Sequence, residues 1–155
     1  MEIPFLKQHT DSIPLIAEWY YREWKAIYEA SGMSFEDVKK SIAERVNTDR
    51  IPLAVVALDG GHVIGTGCLK VRDMDTRTEL TPWLAGIYVE RNQRQRGLGS
   101  TIVSTLEGIA RNLGAQRLYL YTPQSVGFYA RLGWAEYERT TYKGQSVTIM
   151  EKILL

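Results

Sequence analysis

The chain has one cysteine, Cys68, and two histidines, His9 and His62. A lone thiol closes no internal disulfide, and with two histidines it falls short of the usual four zinc ligands, so no metal is expected. Charge of one sign is also scarce: 19 Lys+Arg stand against 18 Asp+Glu, a net +1 at pH 7. That balance gives no global field to draw the chain to nucleic acid or to an anionic membrane. No apolar run nears the ~20 residues of a membrane span. Residues 1–10 lack the basic and then apolar pattern of a secretory leader. The expectation is a cytoplasmic protein with neither a membrane nor a nucleic-acid partner. No linker, repeat or low-complexity stretch breaks the 155 residues, which are 45% hydrophobic, so one domain over residues 1–155 is expected.

What is present is a periodicity that changes along the chain. Ile3 to Lys7 reads as a short strand. Thr10 or Asp11 is placed to cap a helix that tolerates Pro14 in its first turn. Ile13, Ile16, Ala17, Tyr20, Trp24 and Ile27 then recur at helical spacing. Ser34-Phe-Glu-Asp37 has the pattern of a capping box, ahead of Val38, Ile42 and Val46. From Pro52 the period shortens. Two apolar runs, Pro52 to Leu58 and His62 to Val71, flank Asp59-Gly-Gly61, which is a hairpin signal. Arg72 to Thr81 is polar, and Trp83 to Val89 reads as a third strand.

Leu98, Ile102, Leu106, Ile109 and Leu113 form a helical stripe closed by Gly114. Arg117 to Tyr121 is a strand and Ser125 to Leu132 a short helix ended by Gly133. Trp134 to Thr140 and Ser146 to Ile153 are strands of a hairpin around Lys143-Gly144. The order β-αα-βββ-α-β-α-ββ predicts an α/β (α+β) fold, a mixed sheet with helices packed on it.

Between the third strand and the striped helix lies Glu90-Arg-Asn-Gln-Arg-Gln-Arg-Gly-Leu-Gly99. A strand that runs through glycines into a helix builds an anion site. The first helical N–H groups have no internal acceptor, and the dipole puts partial positive charge there. A nucleotide-hydrolase loop would need a Gly-Lys-Ser/Thr, which is missing. A dinucleotide fingerprint would need a glycine at Ile102.

Ile87-Tyr-Val89 followed by Arg94-Gln-Arg-Gly-Leu-Gly99 resembles the Gln/Arg-x-x-Gly-x-Gly/Ala signature of the GNAT superfamily of N-acetyltransferases. Phe128-Tyr-Ala-Arg-Leu-Gly-Trp134 is similar to that superfamily's Phe/Leu-Tyr-x-x-x-Gly-Phe segment. The resemblance implies the GNAT-like acyl-CoA N-acyltransferase fold, a mostly antiparallel mixed sheet flanked by about four helices. It implies acetyl-CoA as cofactor, its pyrophosphate held by the loop residues Arg94, Gln95, Arg96, Gly97, Leu98, Gly99 and Ser100. The pantetheine arm would pair with Ile87, Tyr88 and Val89, beside a strand bulge expected at Gly86. Tyr129 matches the family's general acid, a phenol that stays protonated at neutral pH and can donate to a leaving thiolate.

The general base is where the sequence departs from the family. Positions that carry Glu in relatives are Trp83 and Tyr121 here, and an Asn position is Thr122. Glu79, Asp75 and Asp73 read as solvated loop charges, so no base is assigned. Relatives wall their acceptor pocket with the first two helices, which points to Trp24 and Tyr28, with Trp83 from the third strand. The implied function is acetyl transfer from acetyl-CoA to a primary amine by direct attack in a ternary complex. The alternative is a non-catalytic acyl-CoA-binding or regulatory relative. The acceptor, a small-molecule or peptide amine, is not legible. Homodimers are common in the superfamily, but no stretch marks an interface.

Overall fold

The computed structural model describes residues 1–155. Strands β1 (Leu53–Asp59), β2 (His62–Lys70), β3 (Trp83–Val89), β4 (Arg117–Thr122), β5 (Ala135–Tyr142) and β6 (Gln145–Ile153) form one sheet in the order β1-β2-β3-β4-β6-β5. All neighbours are antiparallel except the β3–β4 pair. Five helices accompany it: α1 (Ile13–Glu23), α2 (Lys25–Ala30), α3 (Phe35–Ala43), α4 (Leu98–Asn112) and α5 (Val126–Arg131). This is the expected mixed fold with one helix more than anticipated. None of the helices is long and apolar enough to cross a membrane.

β1 shows why its apolar run is unbroken. Leu53, Val55 and Ala57 pack on one face with Ile102, Val103 and Leu106 of α4. Ala54, Val56 and Leu58 pack on the other with α1 and α3, through Ile16, Tyr20, Val38 and Ile42. A strand covered on both faces needs no polar alternation. α4 can lie close because β2 carries Gly65 and Gly67, two residues apart on one face. A Cβ on Gly67 would sit 2.7 Å from Ile87 Cδ1 and 2.9 Å from both Ile102 Cγ2 and Leu106 Cδ1.

Three expectations near the N-terminus are corrected. Ile3 to Lys7 is not a strand: it makes one isolated bridge to β1, Phe5 with Val55, beside another of Glu2 with Leu58. Pro4 has no N–H to continue a ladder, although its carbonyl accepts from Val56. Thr10 and Asp11 do not cap α1. They lie in a 3₁₀ turn, Leu6–Ser12, and Ser12 is the residue that precedes the helix. Finally, the helix expected to run through Ile27 breaks at Trp24, whose φ of -118° and ψ of 33° are not helical. α2 consequently buries no residue, and its side chains are free to border open space. The capping box at α3 forms as expected, with Asp37 N donating to Ser34 Oγ and Ser34 N to Asp37 Oδ2.

The polar segment between β2 and β3 is anchored rather than loose. Met74 and Leu80 are buried with Trp83, Tyr119 and Ile149 in a third cluster. Arg77 clamps the carboxylate of Glu138 on β5 with two bonds, Nε to Oε1 at 3.0 Å and Nη2 to Oε2 at 2.6 Å.

The seat of α4 on the glycine bed can be tested. Gly67→Ala should destabilise the fold by about 1–3 kcal/mol, because three packed side chains must give way at once. Thermal unfolding should show a midpoint lowered by roughly 2–4 °C per kcal/mol at this chain length. An unchanged midpoint would mean that α4 lifts from the sheet freely.

Candidate active site

β3 and β4 share a single ladder pair, Trp83 with Tyr119. Beyond it they part, and a cleft of about 830 Å³ opens between them. That is the size range of small-molecule sites. The start of α4 stands at one end of the cleft, and α1, α2 and α3 border the other.

The β3 wall is shaped by a bulge. Thr66 pairs with Tyr88 and Cys68 with Ala85, so Gly86 and Ile87 together oppose Gly67. Gly86 takes a φ of +63°, at the position where the bulge was expected. Its carbonyl accepts a 2.6 Å hydrogen bond from Tyr20 Oη. A Cβ at Gly86 would lie 2.5 Å from that oxygen, so glycine is needed for space as well as for conformation. Ile87, Tyr88 and Val89 all border the cleft. Their side chains are engaged elsewhere: Ile87 and Val89 pack toward α4, and Tyr88 stacks on Trp19 at 5.1 Å. What they offer the cleft is a backbone edge, paired on the β2 side only.

At the α4 end, Gln95 and Gly97 adopt φ of +65° and +78°. The left-handed region costs a non-glycine residue roughly 1–2 kcal/mol, so Gln95 stores strain in this loop. Gly97 precedes α4, no side chain caps the helix, and no acidic residue occupies its first turn. The first intrahelical bond is Thr101 N to Gly97 O, which leaves the N–H groups of Leu98, Gly99 and Ser100 without helical acceptors. Ser100 Oγ and Thr101 Oγ1 donate back to Gly97 O at 2.9 and 3.0 Å and leave those donors open.

The arginines brace this loop. Arg94 folds back, its Nε donating to Val89 O at 2.8 Å and its guanidinium 5.2 Å above the Tyr88 ring. Arg96 donates to Gln93 Oε1 at 2.7 Å and is absent from the cleft lining, unlike the other loop residues expected there. The cleft is thus offered backbone amides at this end, with Arg94 also in its lining.

α5 brings Phe128 and Tyr129 to the same end. Thr122 Oγ1 accepts from Ser125 N at 2.9 Å and shapes the turn into this helix. Phe128 reaches to 3.4 Å from the place of a Gly99 Cβ. The Tyr129 ring packs edge-on to Phe128 and Trp134. Its hydroxyl has no protein partner and is not a sealed orphan, so it opens on the cleft it borders. Burial pushes this phenol up to about 12.

At the far end, Trp24 and Tyr28 border the cleft. Trp83 does not. It is fully buried, its Nε1 donating to Leu80 O at 2.7 Å, and the ring of Tyr121 takes the cleft position beside it. The acidic residues of the β2–β3 segment also separate. Asp75 is exposed and pairs with Lys143, whereas Asp73 lines the cleft and pairs with Lys70 at 2.9 Å. Arg45, unremarked in the sequence, is buried at this end. A signal existed: Arg45 stands two residues past the end of α3, seven after the buried Val38, where the helical period would call for an apolar residue.

Residues 13–134 match the acetyltransferase (GNAT) family, and the chain belongs to that family. Over 88 residues it is 30% identical to N-alpha-acetyltransferase 30 of Schizosaccharomyces pombe, covering 54% of this chain and 58% of that protein. The chain thus matches little more than half the length of this relative. The fold is shared with the crystal structure of aminoglycoside 6'-acetyltransferase type Ii at a TM-score of 0.76 and 18% identity, over 100% of this chain and 98% of the other. An aminoglycoside 6'-N-acetyltransferase complexed with coenzyme A aligns at a TM-score of 0.74 and 16% identity, with the same coverage.

The tyrosines around the cleft yield a pH prediction. Burial raises the phenols of Tyr28 and Tyr129 to about 12 and pushes Tyr20 and Tyr121 up as well. The folded state therefore holds these protons after the unfolded chain, titrating near 10, has released them. Stability should be intact below about pH 10 and fall as pH rises toward about 12. A spectrophotometric titration should show a late phenolate phase that coincides with loss of near-ultraviolet circular dichroism. Phenolate release from all nine tyrosines near pH 10, with the fold intact, would contradict the burial described.

Proposed function

We propose that the chain is an acetyl-CoA-dependent N-acetyltransferase that passes acetyl directly to a primary amine in the cleft between β3 and β4. The observation that carries this reading is the parting of those strands with an uncapped α4 N-terminus at one end. The residues present fit coenzyme A. The open amides of Leu98, Gly99 and Ser100 suit a pyrophosphate, with Gly97 and Gly99 leaving room for close approach. The free edge of Ile87 to Val89 suits the amides of a pantetheine arm, as an added strand would. Acetyl-CoA, when bound, supplies a thioester whose carbon the amine attacks and whose sulfur leaves as a thiolate.

Tyr129 serves that departure. At neutral pH its hydroxyl holds a proton and can donate it. An ordinary thiol sits near 8.5, well below this phenol, so full proton transfer from Tyr129 Oη is uphill. The hydroxyl acts first as a hydrogen-bond donor to charge building on sulfur, the kind of stabilisation that exists mainly in the transition state. Cys68 offers no acyl-enzyme route. Its thiol is fully buried, burial pushes its pKa up, and it donates to Ala85 O at 3.3 Å. The names of the relatives, one for an Nα-acetyl transfer and two for aminoglycosides, agree on an amine as acceptor. No carboxylate is assigned as general base.

Tyr129→Phe keeps the ring packing and removes the donor. Turnover should drop roughly 10²-fold, with kcat and kcat/KM falling together while acetyl-CoA affinity and the melting point hold. Steady-state thiol-release kinetics and a melting curve check this. Full turnover in the variant would return Tyr129 to the role of a wall residue.

A further inference from the structure

Arg45 follows α3 and reaches under the Gly86 bulge at the end of the cleft away from α4. The residue keeps 8% of its surface. Nη1 donates to Cys68 Sγ at 3.4 Å and Nη2 to Ser41 Oγ at 3.1 Å. Both acceptors are weak and neutral, since burial keeps Cys68 a thiol that itself donates to Ala85 O. No carboxylate forms an ion pair with Arg45. Asp73, which shares the cleft, is held by Lys70. Tyr20 and Tyr28, the phenols nearest in influence, are pushed up by burial and stay neutral.

A guanidinium is never discharged at accessible pH, and it has five N–H donors, of which two are used here. Burying such a cation costs several kcal/mol unless an anion and hydrogen bonds offset it. Nε has no protein partner, yet the buried side-chain atom left without one is Glu151 Oε2, so Nε is not sealed off. Arg45 lines the cleft on one side and a smaller hollow with Glu44, Lys70 and Arg72 on the other, and the cleft is the one large enough for a substrate. Lys70 and Asp73 neutralise each other at this end, which leaves the charge of Arg45 without a bonded partner. The guanidinium is also placed for a short acceptor. Cys68 links it to the Ala85 carbonyl, and Sγ lies 3.4 Å from where a Gly86 Cβ would be.

We propose that Arg45 receives a carboxylate of the acceptor, so that the amine acetylated here belongs to an amino acid or a similar small amino-carboxylate. Trp24 and Tyr28 would then flank the remainder of the molecule. This rests on the acetyl-transfer reading and is tested apart from it. A planar guanidinium binds a carboxylate through paired N–H donors, which a neutral amide of the same shape cannot match.

The experiment compares the common L-amino acids with their carboxamides as acceptors in acetyl-CoA-dependent thiol release. Acids should exceed the matching amides by at least about tenfold in kcat/KM, chiefly through KM. Arg45→Met should level the two classes. It should also melt at the same or a higher temperature, because an unpaired buried charge has been replaced by an apolar chain. Amides that serve as well as acids in the unmodified protein would overturn the proposal. So would an Arg45→Met protein that melts lower and keeps the preference, which is the behaviour of a structural strut. If no amino acid turns over, N-acetyl-amino acids with coenzyme A decide: they should raise the melting point of the unmodified protein and not of Arg45→Met, and no rise with any of them refutes the carboxylate site. Coenzyme A alone, titrated by calorimetry, tests the underlying reading separately.

Discussion

The structure depends on a ladder that stops. β3 and β4 are the only parallel neighbours in the sheet, and they hold together at one pair, Trp83 with Tyr119. Backbone groups on the parted edges would be orphaned in a closed core, so the gap must stay open to solvent or be filled by another polar chain. Strong construction on both sides keeps it from closing. β1, β2 and β3 are tied to α4 and α1 by two large cores, while β4, β6 and β5 are joined by a long antiparallel ladder and the anchored segment around Met74. Two parts of one sheet, joined by the core they share under α4, thus face one another across a slot.

The slot is given direction by its ends. At one end the uncapped α4 presents amide hydrogens and a dipole's partial positive charge, with Arg94 in the lining and Arg96 outside it, turned to Gln93. At the other, aromatic rings surround one ion pair and one unpaired guanidinium. The Gly86 bulge lies between, fixed by a hydroxyl from α1, so helix packing on the sheet sets the position of the β3 backbone where the two ends meet. Burial keeps the nearby phenols protonated, which leaves Tyr129 with a hydrogen to give at neutral pH.

Much of this was legible in the chain. The hairpins at Gly60-Gly61 and Lys143-Gly144, the capping box at Ser34 and the glycine loop into α4 are local chemistry, and each sits where its residues place it; the bulge at Gly86 was implied by the family resemblance. What escaped is what depends on distant partners. Pro4 reduced a strand to two bridges. Trp24 interrupted a helix whose apolar spacing continued past it. Trp83 matches a family position for pocket chemistry, but its side chain is buried against Leu80 and Tyr119, and Tyr121, edge-on to its ring from β4, meets the cleft instead. Asp73 and Asp75 are two residues apart in sequence, and only the fold separates a cleft carboxylate from a surface one. Gly65 and Gly67 owe their role to α4, which lies on them from 30 and more residues further along the chain.

The most direct measurement is amide hydrogen exchange with and without coenzyme A. Binding across the parted strands should slow exchange at residues 85–89 of β3 and at Leu98, Gly99 and Ser100, the donors that have no acceptor within the chain. Exchange in the β5–β6 hairpin should stay unchanged. Coenzyme A that binds without protecting either segment, or that protects only the hairpin, would contradict a cofactor site in the gap between β3 and β4.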